Sequence, residues 1–180
     1  MKRFNGIFIL CFLLLSYNHG WSSDSLPSFA KNKFLSVEIG GNGIAPSFNF
    51  ETIINKKYPF VNVRAGLQAF PFRIEGFTDY RSVGIVSELS LLTGKDRNHF
   101  ETGVGFSYIH LYDDIYGDEN LNLELLVLRL GYRHYSKTGK SFFKIAYTPM
   151  FVLNKPGDEY TEFDPRVIPF FLGLGYGFKL

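Results

Sequence analysis

The chain has 180 residues, 18% of them aromatic and 20% charged, with 18 glycines and a formal net charge of +2. Disordered segments are poor in aromatics, and glycine and aromatic residues are weak helix formers, so this composition excludes both a disordered chain and a helical bundle. Basic and acidic residues number 19 and 17, an excess too small for nucleic acid, and no nucleic-acid partner is expected.

The N-terminus has a basic pair, Lys2 and Arg3, then an apolar run from Ile7 to Leu15, then small and polar residues. This is the layout of a secretory signal peptide, and the run is too short to cross a bilayer as a helix. We assign residues 1–22 to the signal, 23–32 to an N-terminal periplasmic segment and 33–180 to one barrel domain. Cys11, the one cysteine, leaves with the signal, so no disulfide is expected. Removing Lys2 and Arg3 leaves 17 basic residues against 17 acidic ones.

Beyond the signal the pattern alternates with a period of two, which predicts strands. Eight segments follow in order. The first, Phe34 to Gly40, sets Leu35, Val37 and Ile39 against Ser36, Glu38 and Gly40. The second, Ala45 to Ile54, sets Phe48, Phe50, Thr52 and Ile54 against Ser47, Asn49 and Glu51. The third, Phe60 to Phe70, sets Val61, Val63, Ala65 and Leu67 against Asn62, Arg64, Gly66 and Gln68. The fourth, Tyr80 to Leu92, sets Val83, Ile85, Leu89 and Leu91 against Ser82, Gly84, Glu88 and Ser90, with Ser87 breaking the apolar face.

The fifth, His99 to Tyr112, sets Val104, Phe106 and Tyr108 against Glu101, Gly103, Gly105 and Ser107. The sixth, Leu123 to Tyr135, sets Leu126, Leu128, Leu130 and Tyr132 against Arg129, Gly131 and Arg133. The seventh, Phe142 to Leu153, sets Phe143, Ile145, Tyr147 and Phe151 against Lys144, Ala146 and Thr148. The eighth, Phe170 to Leu180, sets Phe170, Leu172, Leu174, Tyr176 and Phe178 against Gly173, Gly175, Gly177 and Lys179. Pro46 and Pro149 each remove a ladder donor and predict a bulge or a strand limit.

One face of every segment is apolar and the other is glycine, small polar or charged. A soluble barrel turns the apolar face inward and a membrane barrel turns it outward. Three alternate glycines have no use on a water-facing surface, because glycine weakens a strand. The interior of an eight-stranded barrel is narrow, and glycine there makes room for larger neighbours. Loop lengths point the same way. Asn55 to Tyr58, Thr93 to Asn98 and Ser136 to Lys140 are short and rich in Lys and Arg. Three of the alternate connections, at about Pro71 to Asp79, Asp113 to Asn120 and Asn154 to Arg166, are longer, and the last two are acidic; Gly40 to Ala45 is the short one. Short turns on one side and long loops on the other is the outer-membrane pattern. Tyr58, Phe60, Phe72, Tyr80, Phe100, Tyr112, Tyr132, Tyr135 and Phe178 lie near strand ends, where interfacial girdles form. The predicted fold is all-β, an eight-stranded antiparallel up-and-down transmembrane β-barrel.

The ordered set "VEIGGNG", "LLTGKDRNHFETGVGFSY", "LRLGYRHYSKTGKSFFKIAYTPMF" and "FFLGLGYGFKL" resembles a family of small outer-membrane β-barrel proteins of Bacteroidetes-like bacteria, similar to the OmpA and OmpX type of eight-stranded barrel. The resemblance covers most of the mature chain. It implies the cell outer membrane of a Gram-negative bacterium as location. It also implies contact with outer-membrane lipid and lipopolysaccharide, and with the barrel-insertion machinery during biogenesis, and a monomer is expected. It implies no reaction, since fold is not function.

By the alternation, Glu38, Glu51, Arg64, Glu88, Glu101, Arg129, Arg133, Lys144 and Lys179 point into the lumen. Buried charges must pair, so a salt-bridged plug is expected; the alternative is a narrow ion or small-solute pore lined by the same groups. Asp113, Asp114, Asp118 and Glu119 form an acidic loop cluster able to meet cations or a partner. His134 and Ser136 are similar in spacing to the pair of outer-membrane lipid A deacylases, but no acidic residue follows in the next strand to orient a base. An enzyme is not expected. "GGNG" at Gly40 to Gly43 precedes no helix and is expected to be a turn with positive φ. The histidines lack metal-ligand spacing, so no metal or cofactor is expected. The function read from the sequence is a structural or surface-interaction barrel.

Overall fold

A computed structural model describes residues 32–55, 59–70, 80–113, 121–154, 167–169 and 171–180. The signal segment, the N-terminal segment up to residue 31, most of the longer loops, and Tyr58, Phe72 and Phe170 lie outside the described residues. The elements are β1 (Lys33–Gly40), β2 (Ser47–Ile53), β3 (Phe60–Phe70), β4 (Tyr80–Lys95), β5 (Asn98–Asp113), β6 (Leu121–Tyr135), β7 (Ser141–Tyr147), β8 (Met150–Val152), β9 (Val167–Ile168) and β10 (Leu172–Lys179). All ladders are antiparallel. β1 to β7 pair consecutively, β8 pairs with β6 and β9, and β10 pairs with β7 and closes on β1, giving an eight-stranded closed barrel.

Ten elements make eight staves because two staves are interrupted. Pro149 lacks a ladder N–H and ends β7, but its carbonyl still accepts from Leu128 N at 3.0 Å, so β8 resumes the same stave against β6. Opposite β10 and β9 the register slips by one residue: Leu172 faces Tyr147, whereas Ile168 faces Met150. Between these two pairs the last stave therefore has one residue more than the β7–β8 stave that it faces, the residue count of a bulge. Pro46 likewise marks a limit, with β2 starting at Ser47.

The barrel is inverted relative to a water-soluble one. Val37, Phe48, Leu67, Ile85, Leu130, Phe143, Leu172 and Leu174 are exposed, while Glu38, Glu51, Arg64, Glu101, Arg129, Arg133 and Lys144 are at most 1% exposed. Ser87, the polar break in the outer face, donates its hydroxyl to Phe106 O. The β4–β5 turn is tighter than the sequence suggested. Both strands run on until only Asp96 and Arg97 remain between them, with Asp96 in the left-handed region at φ 53°, as a two-residue hairpin requires.

Two aromatics expected in the outer girdle point inward. Phe60 shares its face with Asn62 and Arg64, and Tyr135 shares its face with Arg133, so strand parity turns both into the lumen, where they are buried. Phe100, Tyr112, Tyr132 and Phe178 do lie on the outer surface.

Candidate functional site: a charged layer across the lumen

The lumen is filled in three tiers. At the end of the short turns, Phe34, Ile53, Phe60, Leu92, Tyr135 and Phe142 form an apolar floor. Phe34 meets Phe142 edge-on at 5.3 Å, and Tyr135 meets Phe142 at 5.6 Å. His99 packs against Tyr135 and Phe60, with its Nε2 3.2 Å from Asp96 O. These residues sit on the inner face by parity, yet the sequence reading did not single them out as a layer. The signal was there, in large apolar side chains at the turn-side ends of inward positions.

Above the floor lies the charged tier. Staves from β1 to β7 each supply at least one ionic group: Glu38, Glu51, Arg64, Glu88, Glu101, Arg129, Arg133 and Lys144 in turn. Four carboxylates face four cations. Arg64 pairs with Glu38 and, at 2.6 Å, with Glu88. Arg129 pairs with Glu38 and, through Nε at 2.7 Å, with Glu88. On the other half, Arg133 meets Glu51 at 2.7 Å and Glu101 at 2.8 Å. Lys144 joins the halves, 2.6 Å from Glu51 and 2.8 Å from Glu38.

The remaining carboxylate lone pairs are partly met by neutral donors: Ser36 and Asn62 donate to Glu51, and Ser90 donates to Glu101. The Arg133 guanidinium also lies 4.4 Å from the centre of the Phe142 ring, so it is packed between the floor and the carboxylates.

The register explains how the charges meet. Glu51, Arg64 and Glu88 are direct cross-strand neighbours along β2, β3 and β4. Arg133 and Lys144 are also direct neighbours, like charges on one wall, held together by Glu51 reaching across from β2. The last stave supplies no charge to this tier. It supplies space: Gly175 lies opposite both Glu38 and Lys144, and a Cβ there would fall 2.6 Å from Lys144 Cε. Gly177 similarly leaves room for the Phe142 ring, and Gly173 for the β1–β2 connection.

The third tier closes the loop end. One wall is apolar, with Ile109, Leu125, Val127 and Met150. From the other wall the β1–β2 connection folds into the mouth. Gly40 and Gly41 both have φ of 73°, the positive-φ turn expected of "GGNG", and they steer Asn42 into the barrel, where it is 1% exposed. Asn42 O accepts from Ser107 Oγ at 2.7 Å, its Nδ2 donates to Ser87 O, and its Oδ1 accepts from Arg129 Nη2 at 3.3 Å. Sequence reading placed this segment outside as a plain loop; its inward path depends on contacts to β4, β5 and β6, which are distant in sequence.

Of the nine lumen charges expected, eight are buried in this network. Lys179 is the exception: β10 ends there, past the floor, and its side chain is exposed at the rim. Of the acidic loop cluster, Asp113 closes β5 but its side chain, like all of Asp114, Asp118 and Glu119, lies outside the described residues. His134 and Ser136 each have other partners: His134 Nδ1 lies 2.7 Å from Asn98 Oδ1, and Ser136 Oγ accepts from Ser141 N at 3.1 Å. Among the described residues no group of His, Cys, Asp and Glu is placed to hold a metal ion.

The fold and site together define the class: a closed eight-stranded antiparallel β-barrel with an apolar exterior and a salt-bridged interior. Comparison with family models, with curated proteins and with solved structures found no match.

Proposed function

We propose that the chain is an integral outer-membrane β-barrel with a structural or surface-interaction role, its lumen plugged by the ionic layer. The observation that carries this reading is the inversion of the barrel. Large apolar side chains stand exposed on every stave, among them Phe48 at 71%, Leu67 at 64% and Leu172 at 66%. A soluble monomer rarely exposes a contiguous apolar patch above about 600 Å²; here the apolar surface encircles the molecule. Hydrocarbon is the solvent that such a surface suits, and a closed barrel leaves no backbone edge unsatisfied in it. β3 to β6 have 11 to 16 residues, enough for the roughly 9–11 that a tilted strand needs to cross.

The interior argues against a wide channel. Charge pairs, floor and inward loop occupy successive depths of the lumen, so the parts left to act are the loops, the acidic ones in particular. The test has two arms. Envelope fractionation should recover the protein with membranes, needing detergent for release and showing heat-dependent mobility in gels; a folded monomer in detergent-free buffer would overturn the reading. Planar bilayers should show no conductance steps. Steps abolished by changing Arg129 would instead establish the narrow pore.

A further inference from the structure

The turn end of the barrel carries a feature that the plugged lumen does not use. Six exposed cations, Lys33, Lys95, Arg97, Lys137, Lys140 and Lys179, sit there, and Asp96 is the one acidic side chain among the described residues of that rim. They are arranged in sequence around the rim by backbone bonds between neighbouring segments. Tyr135 N donates to Arg97 O at 2.8 Å, linking the β4–β5 turn to the end of β6, from which the Lys137–Lys140 turn leaves. Lys179 N donates to Lys140 O at 2.7 Å, and Leu180 N donates to Lys33 O at 2.9 Å. The cations therefore form an arc running from β4 past β6, β7 and β10 to β1.

One step inward from this arc, on the outer surface, stand Phe100, Tyr132 and Phe178, all between 43% and 49% exposed. Tyr132 Oη and His134 Nδ1 converge on Asn98 Oδ1 at 2.6 and 2.7 Å, a polar cluster between the aromatic side chains and the Lys95–Arg97 turn. Cations, then aromatic rings, then aliphatic surface is the order that matches the phosphate, glycerol and acyl-chain levels of a bilayer.

From this order, and on the basis of the membrane reading above, we propose that the arc is a binding surface for the headgroups of anionic phospholipids in the leaflet that meets the short turns. Charge complementarity selects the occupant: lysines near an anionic lipid surface each contribute about fivefold in affinity, whereas a zwitterionic headgroup offers no net charge. The arc thereby fixes the depth of the barrel and enriches anionic lipid around it.

The test uses the full chain. Refolded in detergent, it is offered phosphatidylglycerol and phosphatidylcholine of equal chain length in competition, and retained lipid is counted by native mass spectrometry. Phosphatidylglycerol should be retained over phosphatidylcholine by about tenfold or more, and the preference should collapse in roughly 1 M salt, where the screening length is about 3 Å. Lys33→Gln/Lys140→Gln/Lys179→Gln should bring retention near parity, and Arg81→Gln, at the opposite end, should leave it unchanged. Insertion into vesicles of either lipid is scored in parallel. A chain that enters bilayers but shows no lipid preference, or whose preference survives both salt and the triple change, overturns this inference alone; a chain that enters neither bilayer overturns the membrane reading and this inference with it.

Discussion

Glu51 is the sharpest point at which to perturb the ionic layer. Its carboxylate holds Arg133 at 2.7 Å and Lys144 at 2.6 Å and accepts from Ser36 and Asn62. Glu51→Gln keeps the shape and removes the charge, leaving four buried cations to three carboxylates, with Arg133 and Lys144 side by side on one wall. Removing one partner of a buried pair costs about 3–5 kcal/mol, or roughly two to three and a half factors of ten in the folding equilibrium at about 1.4 kcal/mol per factor. Lys144→Met restores neutrality, three against three. Arg133 then keeps Glu101, while Glu38 keeps Arg64 and Arg129. The double variant should therefore be more stable than the sum of the singles by about 2 kcal/mol, within the roughly 0.5–3 kcal/mol range for residues in one network. Urea titration in phosphatidylcholine vesicles, read by heat-dependent gel mobility and tyrosine fluorescence, measures the cycle. Additivity within about 0.5 kcal/mol would refute the idea that net charge in a single connected layer governs the stability of this barrel.

Other expectations separate the fold from its surroundings. Leu174→Arg on the outer face should cost about 2–4 kcal/mol if the belt lies in hydrocarbon, and within about 0.5 kcal/mol if it faces water; insertion yield into vesicles distinguishes these outcomes. Gly173→Ala should destabilise more than Gly175→Ala, by about 1 kcal/mol or more. Its Cβ would meet the Gly41 backbone at 2.7 Å, whereas that of Gly175 would meet a side chain, Lys144, with Cε at 2.6 Å; paired urea midpoints decide the order. Asn42→Ala removes the acceptor for Arg129 and the donor to Ser87 O, at a cost of about 1–3 kcal/mol. Hydrogen exchange should then quicken across Gly41 to Ala45 while the floor around Phe142 stays protected.

Strand parity made most of this barrel legible before any coordinates. A period of two needs only local sequence, and a last segment with glycine at three of its four inward positions identifies which side is cramped. That is why Glu38, Arg64 and Arg129 were placed inward, and why Leu172 and Leu174 were placed outward. Parity failed where the reading let position near a strand end outweigh face. Phe60 and Tyr135 were counted as girdle residues although each is an even number of residues from an inward arginine. Lys179 failed in the opposite sense: it has inner-face parity, but β10 stops at the rim, and parity carries no information about depth. The inward path of Gly41 to Ala45 was illegible for another reason, since its partners Ser87, Ser107 and Arg129 lie 45 to 87 residues away along the chain.

Depth is also what connects the parts. Glycine in the last stave is not a property of that strand alone: the seven other staves bring charge to one level, and something must yield volume there. Gly175 faces Glu38 on one side and Lys144 on the other, so the strand that contributes no ion makes the ionic layer sterically possible. The lumen is closed by neutral pairing at mid-depth, by rings below and by a folded loop above, which leaves the two ends of the barrel. One is the cationic rim of short turns. The other is the set of long loops with their acidic residues. On the proposed membrane reading an interaction role falls to those two ends, and the residues of the short turns and of the long connections are opposite in net charge.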